Sequence, residues 1–180
     1  MNRHQQISTI RITRAALFLA LNIAMSSFGI PVPGGHLYLC DAVICLAAIL
    51  LDPFDAFVVG GIGSFLGDML FYPPPMFVSL VTHGLQAMVI SMIAHNTMKN
   101  KPVLASGLGV SAGVLIMVTG YTLGKIFVYS TPEYALISMP YEFAQAILGA
   151  VLGMILCWKS PLTSFLSGPA GLTGLPEKQK

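Results

Sequence analysis

Asp68, His83, Lys125 and Glu142 sit where an apolar chain should not hold ionisable groups, and Asp41, Gln86 and Gln145 stand at similar places. Each lies within or at the edge of a long hydrophobic run. Ionisable groups are costly in hydrocarbon and by default mark a functional site. Carboxylate, imidazole, ammonium and amide groups together suit hydrogen bonding to a small polar solute better than covalent chemistry. Asp41 and Asp68 could imitate the paired carboxylates of an intramembrane aspartyl protease. Both stand at segment ends and not at mid-depth, which argues against that chemistry and against an enzyme. No Gly-x-x-x-x-Gly-Lys-Ser/Thr loop is present, so the chain does not itself hydrolyse ATP. Cys40, Cys45 and Cys157 form no CxxC pair and show no metal-ligand spacing; they read as small apolar packing residues. No metal or cofactor is expected.

The elements that must position these groups follow from composition. The 180 residues are 55% hydrophobic and 9% charged, with a mean hydropathy of +0.78. Soluble domains carry roughly 25% charged residues, so a soluble enzyme or a nucleic-acid binder is excluded, and the net charge of +2 points to no polyanion partner. Six spans of about 20 residues would use roughly 120 positions. The expected fold is an all-α membrane protein, a compact bundle of six transmembrane helices forming a single integral domain. The helices are expected at residues 10–28, 41–51, 53–71, 76–98, 103–129 and 140–158. Gly29-Ile-Pro-Val-Pro-Gly-Gly35, Asp52-Pro53, Pro73-Pro74-Pro75 and Lys99-Asn-Lys-Pro102 separate them. The second is too short to span upright, residues 130–139 read as a connection, and residues 159–180 read as a loose tail. Arg11 and Arg14 before an apolar run resemble a signal peptide, but no clear A-x-A site follows, and the run reads as a retained first helix.

Basic residues set an orientation. Arg3, Arg11, Arg14, Lys99, Lys101, Lys159, Lys178 and Lys180 account for eight of the nine and fall on one side of a six-helix chain. By the positive-inside rule both termini are cytoplasmic. Lys125, the ninth, then lies about 6–8 Å below the outer end of the fifth segment. Asp41, Asp68, His83, Gln86, Glu142 and Gln145 fall in the same outer third, while the inner halves hold few comparable groups. That asymmetry describes a pocket open to the outside and not a through-pore, which disfavours the alternative of a stand-alone small-solute channel or facilitator.

Each group also has a plainer role open to it. Asp41 could cap the second helix, and Asp68 and Lys125 could neutralise one another. His83 and Gln86 could be interhelical hydrogen-bonders, and Glu142, just after Pro140, could complement a helix dipole. Small residues form a second pattern: Ala16, Ala20 and Ala24 at i, i+4, i+8, then Gly60, Gly61, Gly63, Ser64 and Gly67, then Gly149 and Gly153. Flat stripes let helix backbones approach closely in lipid. The later ones read as internal packing, whereas the alanine stripe suits an internal or an external partner helix equally.

Several of these pieces in this order resemble a known family. Ala16-x-x-x-Ala20, Leu39-Cys-Asp-Ala-Val-Ile44 after a Gly/Pro loop, Gly60-Gly-Ile-Gly-Ser64 with Asp68, Gly84-Leu-Gln86, and Pro140-Tyr-Glu-Phe-Ala-Gln145 with Gly149 and Gly153 are similar to the substrate-binding S components of energy-coupling factor (ECF) vitamin transporters. The resemblance covers roughly residues 10–158 and lies nearest the hydroxymethylpyrimidine, thiamine-precursor or pyridoxine type. Two positions depart from that type: His83 stands where Lys is frequent, and Glu142 where Asn is frequent.

The resemblance implies a binding protein of the prokaryotic plasma membrane, not an enzyme. It implies a vitamin or precursor as ligand, and as partners a coupling transmembrane T subunit and two ATP-binding subunits. The coupling subunit would meet Ala16, Ala20 and Ala24. A small planar heterocycle would be held by Lys125, Glu142, His83, Gln86 and Gln145 together with Asp41 and Asp68, with Tyr121 and Tyr141 as stacking faces. The loop over residues 32–39, with Gly34 and Gly35, would close as a lid.

Overall fold

The computed structural model describes residues 3–32, 35–98 and 100–159. Six helical segments and one hairpin make up the described residues: α1 (Arg3–Ser26), β1 (Gly29–Val32), β2 (Gly35–Tyr38) and α2 (Cys40–Leu50). They are followed by α3 (Pro53–Phe71), α4 (Met76–Asn96), α5 (Pro102–Tyr129) and α6 (Pro132–Trp158). Five of the helices are long and apolar enough to cross a membrane. At 11 residues α2 is not, and all of its residues are buried. A helix that is apolar all round belongs in a core, and α2 fills that place between α6, α4 and α1.

The expected six-helix, all-α architecture is the one observed, with one boundary corrected. Residues 130–139 are not a connection. The last helix begins at Pro132, behind a Thr131 side chain that accepts from the Tyr134 N–H at 3.3 Å, and runs straight through Pro140. Proline at the first turn is pre-organised for a helix. Inside a helix it removes one hydrogen bond, a loss that membrane helices tolerate when neighbouring groups re-satisfy the backbone. Pro140 offers no N–H to Leu136 O, and the Ser138 hydroxyl donates to the neighbouring carbonyl, Ala135 O, at 3.2 Å, so it does not replace the lost bond. The extra turns place Tyr134, Ser138 and Glu142 at i, i+4, i+8 on one helix face.

Two helices contain a wider π turn, at Val58–Ile62 in α3 and at Lys125–Tyr129 in α5. The Asn22 amide reaches from α1 to donate to Val59 O at 2.8 Å, using a carbonyl of the first π turn. The second is closed by Ser130 N–H donating to Lys125 O at 3.0 Å.

Glycines set the close approaches. A methyl on Gly61 would fall 2.7 Å from Leu80 O, and one on Gly149 would collide with Asp41 Cβ, so α3–α4 and α2–α6 pack at backbone distance. The stripe on α1 behaves differently: Phe18, Asn22 and Ser26 are buried, while Ala16, Ala20 and Ala24 are exposed. That stripe faces away from the bundle.

Arg11 binds Asp52 at 3.2 Å and Asp55 at 3.0 Å, which ties the start of α1 to the α2–α3 turn. At the other end of the bundle the Gly/Pro loop forms an antiparallel hairpin, with Gly29 opposite Tyr38 and Val32 opposite Gly35. Of the expected lid glycines Gly35 is in β2, and Gly34 lies outside the described residues. So does the tail beyond Lys159.

Candidate functional site

Beneath the hairpin lies a cavity of about 180 Å³. All six tyrosines of the chain line it: Tyr38, Tyr72, Tyr121, Tyr129, Tyr134 and Tyr141. Three hydrogen-bonded groups organise its polar side.

The first joins α5 to α6. Lys125, at the start of the π turn, donates to Glu142 Oε1 and to Ser138 Oγ, the latter at 2.6 Å. Thr122 donates to the second Glu142 oxygen at 3.4 Å, and the Lys125 ammonium stands 5.3 Å from the centre of the Tyr134 ring. Lys125 and Glu142 are each 8% exposed. Charges removed from water to this degree need a partner and further hydrogen bonds, and here both have them.

The second group joins α3, α4 and α5. Ser79 donates to Asp68 Oδ2, which leaves the Ser79 oxygen to accept from the Tyr121 phenol. The Tyr121 ring meets His83 edge-on, with centroids 5.3 Å apart. Asp68 therefore does not pair with Lys125. The two carboxylates divide their partners, Glu142 taking the ammonium and Asp68 the hydroxyl relay.

The third group lies behind the cavity and is centred on Asp41. No side chain caps α2, and the Asp41 carboxylate, at 0% exposure, points sideways into the bundle. Gln86 donates to its Oδ1 at 3.2 Å and Gln145 to its Oδ2 at 2.6 Å. With its NH₂ on Asp41, the Gln86 carbonyl is left to accept from His83 Nδ1 at 2.7 Å. The Gln145 carbonyl in turn accepts the Tyr38 backbone N–H at 2.8 Å. One carboxylate thus holds two glutamines, and through them a histidine and the hairpin. The Tyr38 phenol is pushed up to about 12, first by burial and then by the Asp68 charge, so it stays a neutral hydroxyl.

Asp68, His83, Tyr121, Lys125, Tyr141, Glu142 and Gln145 all reach the cavity wall. Gln86 and Asp41, expected to hold the ligand, instead lie one layer behind the wall and brace it, because their side chains are spent on each other, on His83 and on Gln145. The sequence reading missed Tyr38, Tyr72, Tyr129, Tyr134, Ser138 and Cys40 in the wall. A signal for the tyrosines existed: each stands close to the hairpin end of its segment, a grouping by depth that the charged residues alone had supplied.

Residues 6–160 match the family described as ECF-type riboflavin transporter, S component. The chain belongs to this S-component family. An S component is a multi-pass membrane protein of transport and not an enzyme, which agrees with a site rich in hydrogen-bonding groups and aromatic faces. Relatives of similar length share a quarter to a third of their residues with this S component. The "thiamine precursor transporter HmpT" of Lactococcus lactis subsp. cremoris is 27% identical over 163 residues, covering 88% of this chain and 92% of that protein. The "uncharacterized protein in gap 3'region" of Pyrococcus woesei is 29% identical over 136 residues, covering 74% and 89%. A UPF0397 protein of Streptococcus gordonii is 27% identical over 144 residues, covering 76% and 73%.

Proposed function

We propose that this S component captures a single-ring, planar, polar heterocycle of the hydroxymethylpyrimidine or pyridoxine kind, from the outer side of the membrane, and delivers it through a shared ATP-driven module. The cavity carries this reading. At about 180 Å³ it falls below the roughly 300–1,000 Å³ of pockets for drug-sized ligands. Its tyrosine faces suit one aromatic ring, and Lys125, Glu142, Asp68 and Gln145 offer donors and acceptors at the ring's edge. The similarity to a thiamine precursor transporter points the same way.

Riboflavin, named in the family description, is the competing ligand. Its three fused rings and polyol chain need a larger space than this one. Calorimetric titration of the purified protein with hydroxymethylpyrimidine, pyridoxine and riboflavin separates the readings. One-to-one binding of a single-ring compound, with riboflavin at least a hundredfold weaker, is expected; preferential binding of riboflavin would overturn the assignment. The outward face of α1 is the surface offered to the coupling subunit, since its alanine stripe is exposed and flat enough for close helix contact.

A further inference from the structure

Cys40 opens α2 directly beside Asp41, and the fold carries both to His83 on α4. A sulfur, a carboxylate oxygen and an imidazole nitrogen from these residues all lie within 4.8 Å of one another, and all three residues are buried. We propose that Cys40, Asp41 and His83 bind one divalent transition-metal ion of the zinc type, with the remaining coordination position open to the ligand cavity.

The donor set fits such an ion. Zinc takes thiolate, imidazole and carboxylate ligands at about 2.0–2.3 Å, so a tetrahedral site separates its donors by roughly 3.4–3.8 Å. Closing the trio around an ion needs side-chain shifts on the order of 1 Å. A thiolate and a carboxylate balance the two positive charges, so the loaded site is neutral, as burial requires. The outer bonds are those that orient metal ligands. Gln86 and Gln145 donate to the two Asp41 oxygens, and the Gln86 carbonyl faces His83 Nδ1. His83 Nδ1 also stands 3.7 Å from Asp41 Oδ1, which brings the imidazole to the carboxylate that would share the ion. Cys40 and His83 line the cavity, whereas Asp41 lies behind it. The fourth position therefore faces the space where water or a donor atom of the bound ligand can complete the tetrahedron. This assignment goes beyond the heterocycle reading and is independent of which heterocycle binds.

Optical titration of the full-length, tag-free protein in detergent with cobalt(II) chloride, after chelator treatment and without vitamin, tests it. One cobalt per chain is expected, with a near-ultraviolet thiolate-to-cobalt band that zinc chloride abolishes by displacement. Cys40→Ser should remove the band, and His83→Gln and Asp41→Asn should each weaken cobalt binding at least tenfold. Cys45→Ser and Cys157→Ser should leave it intact. Absence of a thiolate band in the unmodified protein overturns the proposal, whatever the variants do, and so does a band that survives Cys40→Ser. Heterocycle titrations of the chelator-treated protein are read separately, so loss of one reading does not disguise loss of the other.

Discussion

Lys125 and Glu142 form a nearly buried ion pair across the α5–α6 interface, and Ser138, one turn before Glu142, binds the same ammonium at 2.6 Å. The pair depends on two local irregularities. The π turn begins at Lys125, and α6 extends through Pro140, which puts Ser138 and Tyr134 on the same face as Glu142. Removing one member of a buried pair leaves the other charge unmatched, at a cost of about 3–5 kcal/mol, while replacing both by apolar groups is often neutral.

Glu142→Gln should therefore lower thermal stability strongly, and Lys125→Met with Glu142→Leu should restore most of it. Ligand binding should be lost in both. Melting curves and calorimetry on the single and double variants check this; a double variant that still binds ligand at full affinity would remove the pair from the site.

The hairpin hangs on Gln145. Gln145→Leu removes the acceptor for the Tyr38 N–H and one donor to Asp41. A two-stranded hairpin is marginal by itself, so amide hydrogen exchange across residues 29–38 should speed up at least tenfold, with α4 and α5 unchanged. Equal exchange in variant and parent would show that the hairpin is held elsewhere.

Glycines supply a paired control. Gly149→Ala drives a methyl into Asp41 Cβ, whereas a methyl on Gly107 meets nothing within 4 Å. The first should destabilise by about 1–3 kcal/mol through overpacking. The second should be neutral or stabilising by up to about 1 kcal/mol, because alanine favours a helix over glycine. Melting temperatures of the two variants, measured side by side, decide it.

Ala16→Trp with Ala20→Trp alters an exposed face and leaves the cavity untouched. Ligand affinity should stay within twofold of the parent, while co-purification with a coupling subunit and its ATPases is abolished. Retained assembly would place the docking surface on another face.

Much of this architecture was legible in the sequence because proline and glycine punctuate it. Asp52-Pro53, Pro73-Pro74-Pro75 and Lys101-Pro102 mark true helix boundaries. Pro140 misleads, since a lone proline reads as a break, while the stronger start, Thr131-Pro132, lies eight residues earlier. Depth was also legible: groups at matching distances along alternating helices must meet at one end. Pairing was not, because the choice of Lys125 for Glu142 over Asp68 depends on how each helix is rotated, and neither composition nor spacing records rotation. The tyrosines stayed hidden because tyrosine near a helix end has an ordinary place at a membrane interface. Cys40 and His83, 43 positions apart in the chain, become neighbours only once α2 is packed against α4.

Asp41 and Gln86 separate bracing from recognition, and Gln145 serves both. Gln86 and Asp41 stay out of the cavity, while Glu142, Asp68 and the tyrosines meet whatever enters it. A lineage that keeps Gln145 can therefore exchange the other wall residues one at a time without releasing the hairpin or the α2–α6 contact. Ligand preference is then free to drift faster than the fold. At 26–29% identity to relatives, the chain has had ample room for such exchanges.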